Sequence, residues 1–184
     1  MLQPGRPGED AATLGPDAEV PEAEWNHSDV MFMQMMVPHH AQALEMAALA
    51  PTRAKGEQVK SLARRISGAQ GPEIMSMSAW LQARNIQVPK ASDDWQGFDH
   101  SKHGHAGMAG MMSEAEMKQQ AAARGAAFDR LFLRGMIAHH TGAVEMAERV
   151  ATGGTDLQVQ ELAADVATGQ AAEIARMKHI LRHL

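Results

Sequence analysis

A double histidine occurs twice in this chain, one hundred residues apart, and the stretches around the two copies share nine identical residues at that same offset. The first stretch, DVMFMQMMVPHHAQALEMA, begins at Asp29, and the second, DRLFLRGMIAHHTGAVEMA, begins at Asp129. The correspondence continues without a gap through residues 59–81 and 159–181. A long internal repeat marks a structural unit that packs against its own copy. The sequence therefore predicts two copies of one helical hairpin.

Composition favours an all-α fold and excludes some functions. Of the 184 residues only 4% are aromatic, whereas Ala and Met are abundant, as suits helices that pack closely through small and adaptable side chains. The net charge of -5 gives no basic surface for nucleic acid. Cys is absent, so neither a disulfide nor a thiolate zinc site is available.

The first 25 residues are rich in Pro, Gly, Asp and Glu and predict a mobile tail. They lack the apolar core of a signal peptide, and no later run is long enough to cross a bilayer. We expect a protein that does not span the membrane. It is either cytoplasmic or has lost a targeting segment.

The first helix is predicted from a cap at Ser28 to about Ala50, where Pro51 stops it. Pro38, directly before the histidines, predicts a bend. At about 100° per residue, one stripe of this helix faces the core and Glu45 faces away. The stripe contains Phe32, Met36, His39, Ala43, Met46 and Ala47, with Asp29 and His40 at its edges.

The second helix is predicted over about 53–85, and polar residues interrupt its apolar stripe. Gln70 and Glu73 lie among core positions, and Gln170 and Glu173 do the same in the second copy. A carboxylate in the core is costly unless it is paired, protonated or bound to a metal. The pair Gly71-Pro72 predicts a second bend beside Glu73.

A connection over 86–112 separates the two hairpins and is rich in His, Met and Gly. A capping box of Ser113 and Glu116 then predicts a third helix, which continues to about Ala151 and ends at Gly153-Gly154. The fourth helix is predicted from about Asp156 to the C-terminus. His179 and His183 lie four residues apart on this helix. The attraction of a cationic side chain to the negative end of the helix dipole is sufficient to explain them.

Two hairpins with a long crossover predict a ferritin-like four-helix bundle. We expect one domain over 26–184, with hairpin repeats at 29–85 and 129–184. Its interior would combine imidazole, carboxylate and thioether groups. The candidate metal ligands in the helices are His39, His40, His139, His140, Glu73, Glu173, Met36, Met136, Met46, Met146, Met77 and Met177. Those in the connection are His100, His103, His105, Met108 and Met111.

Each group of candidate ligands can also have a purely structural role. A buried His-Glu network can simply fix the register of a bundle, a Met stripe can be packing, and the connection can be a solvated loop. A di-iron carboxylate site needs Glu-x-x-His, but Ser76 and Arg176 occupy the required positions. Met77 and Met177 lie one turn beyond each Glu instead. Thioether together with imidazole selects copper, especially Cu(I).

The repeated pattern Asp-x-x-Phe-x-x-x-Met-x-x-His-His-x-x-Ala-x-x-Met-Ala resembles a bacterial secreted family with a domain of unknown function, which includes the copper-binding CopM proteins. The resemblance covers residues 29–184. It implies a ferritin-like helical bundle, export from the cytoplasm and, in some members, copper binding through His and Met. Carried over by position, the motif adds Asp29 and Asp129 to the candidate ligands.

These features of the sequence lead to three hypotheses. The first is an exported protein that binds copper, Cu(I) or Cu(II), for buffering, tolerance or delivery to a partner. The second is a ferritin-like metalloenzyme that uses iron or manganese, with zinc as a further alternative ion, although no nucleophile accompanies the histidines. The third is a structural or interaction domain, such as a homo-oligomer, with an empty polar core.

Overall fold

The computed structural model describes residues 24–89 and 108–184, together with two short strands near the N-terminus. Strands β1 (Leu2–Gln3) and β2 (Ala12–Thr13) pair in antiparallel fashion. Residues 1, 4–11 and 14–23 of the predicted tail lie outside the described residues, as do His100, His103 and His105 of the connection.

The prediction of an all-α fold is confirmed, since helices account for nearly all regular structure in the described residues. Four long helices contain the two repeats. Of the two short helices in the described residues, one lies inside the first repeat and the other precedes the long helices of the second repeat. α1 packs on α3, α5 packs on α6, and α1 also packs on α5. The helices are α1 (His27–Ala48), α2 (Ala50–Arg53), α3 (Glu57–Ala83), α4 (Glu114–Ala122), α5 (Gly125–Gly153) and α6 (Leu157–Arg182).

The first helix begins earlier than the sequence predicted. Its cap is Asn26 rather than Ser28, because the Asn26 side chain accepts hydrogen bonds from the backbone N–H groups of Ser28 and Asp29. The Asp29 carboxylate accepts the Asn26 N–H in return, which completes a capping box. At the other end, Pro51 lies in the first turn of α2, where its missing N–H costs nothing. α1 and α3 continue through Pro38 and Pro72, and the bends expected there remain predictions.

The predicted third helix is two helices. The capping box of Ser113 and Glu116 starts α4 as expected, but α4 ends at Ala122 and α5 begins at Gly125. Arg124 is extended and Gly125 has a φ of +62°. A left-handed glycine breaks the run of helical hydrogen bonds. A single glycine in a helical sequence pattern does not by itself predict such a break.

The core consists of two apolar clusters, and each of them combines residues from both repeats. The first apolar cluster contains Phe32, Met36 and Met77 from the first copy, with Met146 from the second. The second apolar cluster contains the repeat equivalents Phe132, Met136 and Met177, with Met46. Along each helix the double histidines and the core Glu residues fall between the segments that build the two clusters. A polar layer therefore divides the core at its middle.

Two buried aspartates tie each hairpin to the turn of the other. Asp129 on α5 accepts the backbone N–H groups of Lys55 at 3.1 Å and Gly56 at 2.9 Å, in the turn before α3. Asp29 on α1 accepts those of Thr155 at 3.0 Å and Asp156 at 3.2 Å, in the turn before α6. The same hydrogen bonds thus occur twice with the offset of one hundred residues.

We expect Asp129→Asn to destabilise the protein. One amide oxygen replaces two acceptor oxygens, and the new NH2 group faces a backbone N–H, which leaves a buried donor unpaired at a cost of about 1–3 kcal/mol. The loss is measured by urea denaturation. The control Glu145→Gln makes the same change at a carboxylate that is 54% exposed and should alter stability little. Equal effects of the two substitutions would contradict the role given to Asp129.

Candidate metal-binding site

Four fully buried histidines form the centre of the polar layer. α1 and α5 bring His39 and His139 together, with ring centroids 3.7 Å apart and ring planes tilted by 37°. His40 lies 6.4 Å from His39, and His140 lies 6.2 Å from His139, measured between ring centroids. The repeat thus places two imidazoles from each copy at one level of the core.

Three of these rings have a hydrogen-bond partner on Nε2. His40 donates to Glu73 Oε2 at 2.8 Å and His140 donates to Glu173 Oε2 at 2.7 Å. His39 donates to the carbonyl oxygen of Ala109 at 3.0 Å. Since an acceptor oxygen requires the proton on Nε2, the neutral ring keeps its lone pair on Nδ1. Metal-binding histidines are oriented by such a carboxylate or carbonyl on the opposite nitrogen.

The remaining ring nitrogens are buried without a hydrogen-bond partner. These are Nδ1 of His39, His40 and His140, and both nitrogens of His139. The buried side-chain amides of Gln70 and Gln170, one turn before each Glu, are also unpaired. Buried polar atoms normally find a partner in protein, water or an ion. An imidazole lone pair is a ligand for copper, so the residues present fit a copper ion.

Burial keeps the central histidine pair neutral. The pKa of His39 falls from 6.5 to about 3, first because burial disfavours the charged ring and then because His40 repels the charge. The Ala109 carbonyl opposes this shift. The pKa of His139 also lies well below 6.5, first through burial and then through repulsion by His39 and His140, while the His39 backbone opposes it weakly. Neutral imidazole is the form that binds a metal, so protons compete little at these rings.

A covering segment, Met108–Met112, closes the polar layer on one side. In addition to the bond from His39, its Met112 backbone N–H donates to Gln42 Oε1 at 2.8 Å, and its Met112 carbonyl accepts Gln42 Nε2 at 2.9 Å. The segment lies directly on α5, where a Cβ at Gly142 would overlap the Ala109 carbonyl. A Cβ at Gly110, whose φ is +79°, would likewise overlap the backbone of Ala138. Glycine at both positions permits this close approach.

Thioethers lie on both sides of the polar layer. Met36 and Met136 precede His39 and His139 by one turn, and Met77 and Met177 follow the two Glu residues by one turn. Met46 and Met146 lie two turns beyond the histidines in opposite clusters. The covering segment adds Met108 to the first apolar cluster and Met112 to the second. Thioethers therefore lie at equivalent positions of the two repeats, in the apolar clusters on both sides of the imidazoles.

Some predicted ligands lie elsewhere. Asp29 and Asp129 precede the histidines by ten residues, about 15 Å along a helix. Both oxygens of Asp129, and Oδ2 of Asp29, accept hydrogen bonds from the turns described above. Glu73 and Glu173 contact the histidines through Nε2, on the far side of each ring from the free lone pair. Met111 is half-buried on the first apolar cluster.

The covering segment was not predicted from the sequence, and neither was Gln42. A signal was available in the differences between the two copies. Gln42 corresponds to Gly142, and Met35 corresponds to Gly135, whose Cβ would lie 2.8 Å from Met112 Sδ. The first copy has an amide at position 42 that holds the segment, and the second copy has glycine at the positions where a side chain would collide with it.

The site is not a ready-made carboxylate and histidine cage. Over residues 24–89 and 108–184, no three His, Asp or Glu side chains are grouped so that they could hold one metal ion. A coordination sphere of three or more ligands would therefore need thioethers or a small rearrangement. In the same residues, no helix combines the length and apolar character needed to span a membrane.

Comparison with solved structures identifies relatives across most of the chain. A fragment of a DUF305 protein from Deinococcus radiodurans is 32% identical with a TM-score of 0.74, covering 86% of this chain and 98% of that one. A presumed secreted DUF305 protein from Streptomyces coelicolor is 29% identical with a TM-score of 0.71, covering 85% of this chain and 93% of that one. CopM in its Cu(II)-bound form is 33% identical with a TM-score of 0.69, covering 84% and 96%.

CopM structures with Cu(I) and with silver match in the same way, with identities of 32% and 33%. No significant match was found among curated proteins. The family model of DUF305, a domain of unknown function, matches residues 29–181. The resemblance inferred from the repeated motif is thereby confirmed, and the chain belongs to the DUF305 family.

Proposed function

We propose that this protein binds copper in the polar layer of a ferritin-like bundle of two repeated hairpins, and that it buffers, sequesters or delivers the ion outside the cytoplasm. One observation carries the proposal: neutral, fully buried imidazoles have lone pairs with no hydrogen-bond partner, between two apolar clusters that contain thioethers. Relatives that bind Cu(I), Cu(II) and silver support the same ion class.

The donor set indicates what each residue contributes. His39 and His139 would supply the central imidazole ligands, with His40 and His140 beside them. Glu73 and Glu173 would orient the outer rings through the Nε2–H group, a role that raises the basicity of the ligating nitrogen. Thioether and neutral imidazole together favour Cu(I) over ions that prefer oxygen.

The covering segment would control access to these ligands. All four rings are shielded from solvent, and His39 and Gln42 hold the segment in place. Copper would reach the lone pairs when the segment moves away. Its Met108 and Met112 side chains would then be the first thioethers to meet the ion. The covering segment is the last part of the His/Met-rich connection, so it joins the candidate ligands of that connection to those of the core along the chain.

A scaffold without metal is the second candidate. It is favoured by the absence, from the part of the chain that the structure describes, of three grouped His, Asp or Glu ligands. In this alternative the His-Glu pairs only fix the packing of the hairpins. It predicts a melting temperature that copper does not change, whereas an ion bound only by the folded state must raise it.

Titration of the metal-free protein with Cu(I), in competition with a chelator of known affinity, tests the proposal. The His39→Ala/His139→Ala variant should bind core copper at least about 100-fold more weakly, since removing even an outer partner of a ligand costs 10–100-fold. The Glu73→Gln/Glu173→Gln variant should bind core copper about 10–100-fold more weakly than the wild type. The control His179→Ala/His183→Ala removes two exposed imidazoles outside the polar layer and should leave the affinity for core Cu(I) unchanged. Unchanged Cu(I) binding by the core variant would refute the core site.

Cell fractionation tests the proposed location. The presumed secreted relative supports export, and we expect the native protein in the periplasm or culture medium. Recovery from the cytoplasm alone would contradict it.

A further inference from the structure

A second pair of histidines lies at the C-terminal end of α6, away from the polar layer. His179 and His183 are four residues apart and solvent-exposed, and their ring centroids are 4.5 Å apart with a tilt of 31°. His179 follows Glu173 by six residues, about 9 Å along the helix axis. The two rings are therefore neighbours on one face of the helix, separate from the buried imidazoles.

A hydrogen bond already fixes the orientation of one ring. His183 Nδ1 lies 2.7 Å from the backbone carbonyl oxygen of His179, to which its N–H donates. In the neutral ring the lone pair is then on Nε2, on the side away from the helix backbone. A backbone carbonyl on the opposite nitrogen is the arrangement that orients metal-binding histidines.

The surroundings also favour a bound cation. Two histidines one helical turn apart can reach the same metal ion. The C-terminal end of α6 also carries the negative end of the helix dipole. Lys178 and Arg182 each precede one of the histidines, and at about 100° per residue their side chains leave the helix in other directions.

We propose that His179 and His183 form a surface site for a divalent ion that prefers imidazole, namely Cu(II), Ni(II) or Zn(II). The site differs from the buried one in its ligands, because it offers two imidazoles and no thioether. It also differs in access, because no segment has to move before the ion binds. Binding at this surface pair does not depend on copper binding in the core.

Titration calorimetry of the full chain with Zn(II) and, separately, Cu(II) tests this site. We expect His179→Ala and His183→Ala each to lower the affinity for one equivalent of ion at least tenfold, because a single imidazole cannot chelate. The His39→Ala/His139→Ala variant should keep that equivalent. The two sites can therefore fail independently of one another.

A spacing control distinguishes a chelate from ordinary surface histidines. Lys178→His/His179→Ala keeps two histidines near the end of α6 but places them five residues apart, on different faces of the helix. This variant should bind that one equivalent of Zn(II) or Cu(II) at least tenfold more weakly, as the single variants do. An affinity equal to that of the wild type would overturn the proposal.

Hydrogen exchange supplies a readout that is independent of stoichiometry. Zn(II) should slow the exchange of the backbone amides at residues 180–183 in the wild type, because the ion bridges the last turn in its helical form. Equal exchange with and without saturating Zn(II) would also overturn the proposal.

Discussion

Acidification below pH 6.5 should destabilise the metal-free protein, and His39 alone should contribute on the order of 1 kcal/mol per pH unit between pH 6.5 and about 3. The pKa of His39 is about 3 in the folded protein, against 6.5 in an unfolded chain, and the pKa of His139 is lowered in the same direction. Over this interval the unfolded state binds more protons, so stability is complete above pH 6.5 and declines as the pH falls.

Urea denaturation from pH 7.5 to 4 measures this slope. His39→Leu/His139→Leu removes both titrating rings and should flatten the dependence, whatever its effect on stability at neutral pH. The control His179→Ala/His183→Ala removes two histidines from the surface and should keep the steep dependence. A slope that is as steep in the core variant as in the wild type would show that other groups cause the acid sensitivity.

Gly142→Ala should destabilise the protein by about 2–4 kcal/mol even though alanine is the better helix former. Loss of backbone freedom in the unfolded chain would by itself favour alanine by about 0.5–1 kcal/mol. The new methyl group, however, would overlap the backbone carbonyl of Ala109, which has no flexible end that could turn aside. The covering segment must then leave α5, and the bond from His39 is lost with it.

Gly169→Ala is the matched control, because a Cβ at this position on α6 meets nothing within 4 Å. It should stabilise the protein by about 0.5–1 kcal/mol, so the same chemical change should have opposite signs at the two positions. Thermal denaturation of both variants gives the comparison. A stabilised Gly142→Ala protein would mean that the covering segment is not held against α5.

The two glycine variants also bear on copper access. Under the proposed copper function, displacement of the covering segment would expose the candidate ligands, so Cu(I) should enter and leave Gly142→Ala faster than the wild type. Gly169→Ala should exchange copper at the wild-type rate, since it lies outside the contact between the segment and α5.

Much of the architecture followed from local patterns. The repeat and the helical spacing of Phe32, Met36 and His39 predicted paired helices with the histidines turned inward, and all three side chains are buried. Spacing also indicated that Glu73 and Glu173 lie at the level of the histidines, where both accept hydrogen bonds from them. Local backbone conformation was less predictable, since the start of α1 and the break before α5 depend on Asn26 and Gly125.

Residue types and their period along the chain determined the all-α fold, the repeat and the inward direction of the imidazoles, because helix geometry is the same wherever a helix packs. Only the tertiary structure decided which atoms meet across the two copies. Asp29 Oδ2 accepts hydrogen bonds from the turn before α6, and Ala109 contributes a carbonyl that no side-chain pattern records. Such contacts join residues 70 to 127 positions apart, and the packing of whole helices sets them.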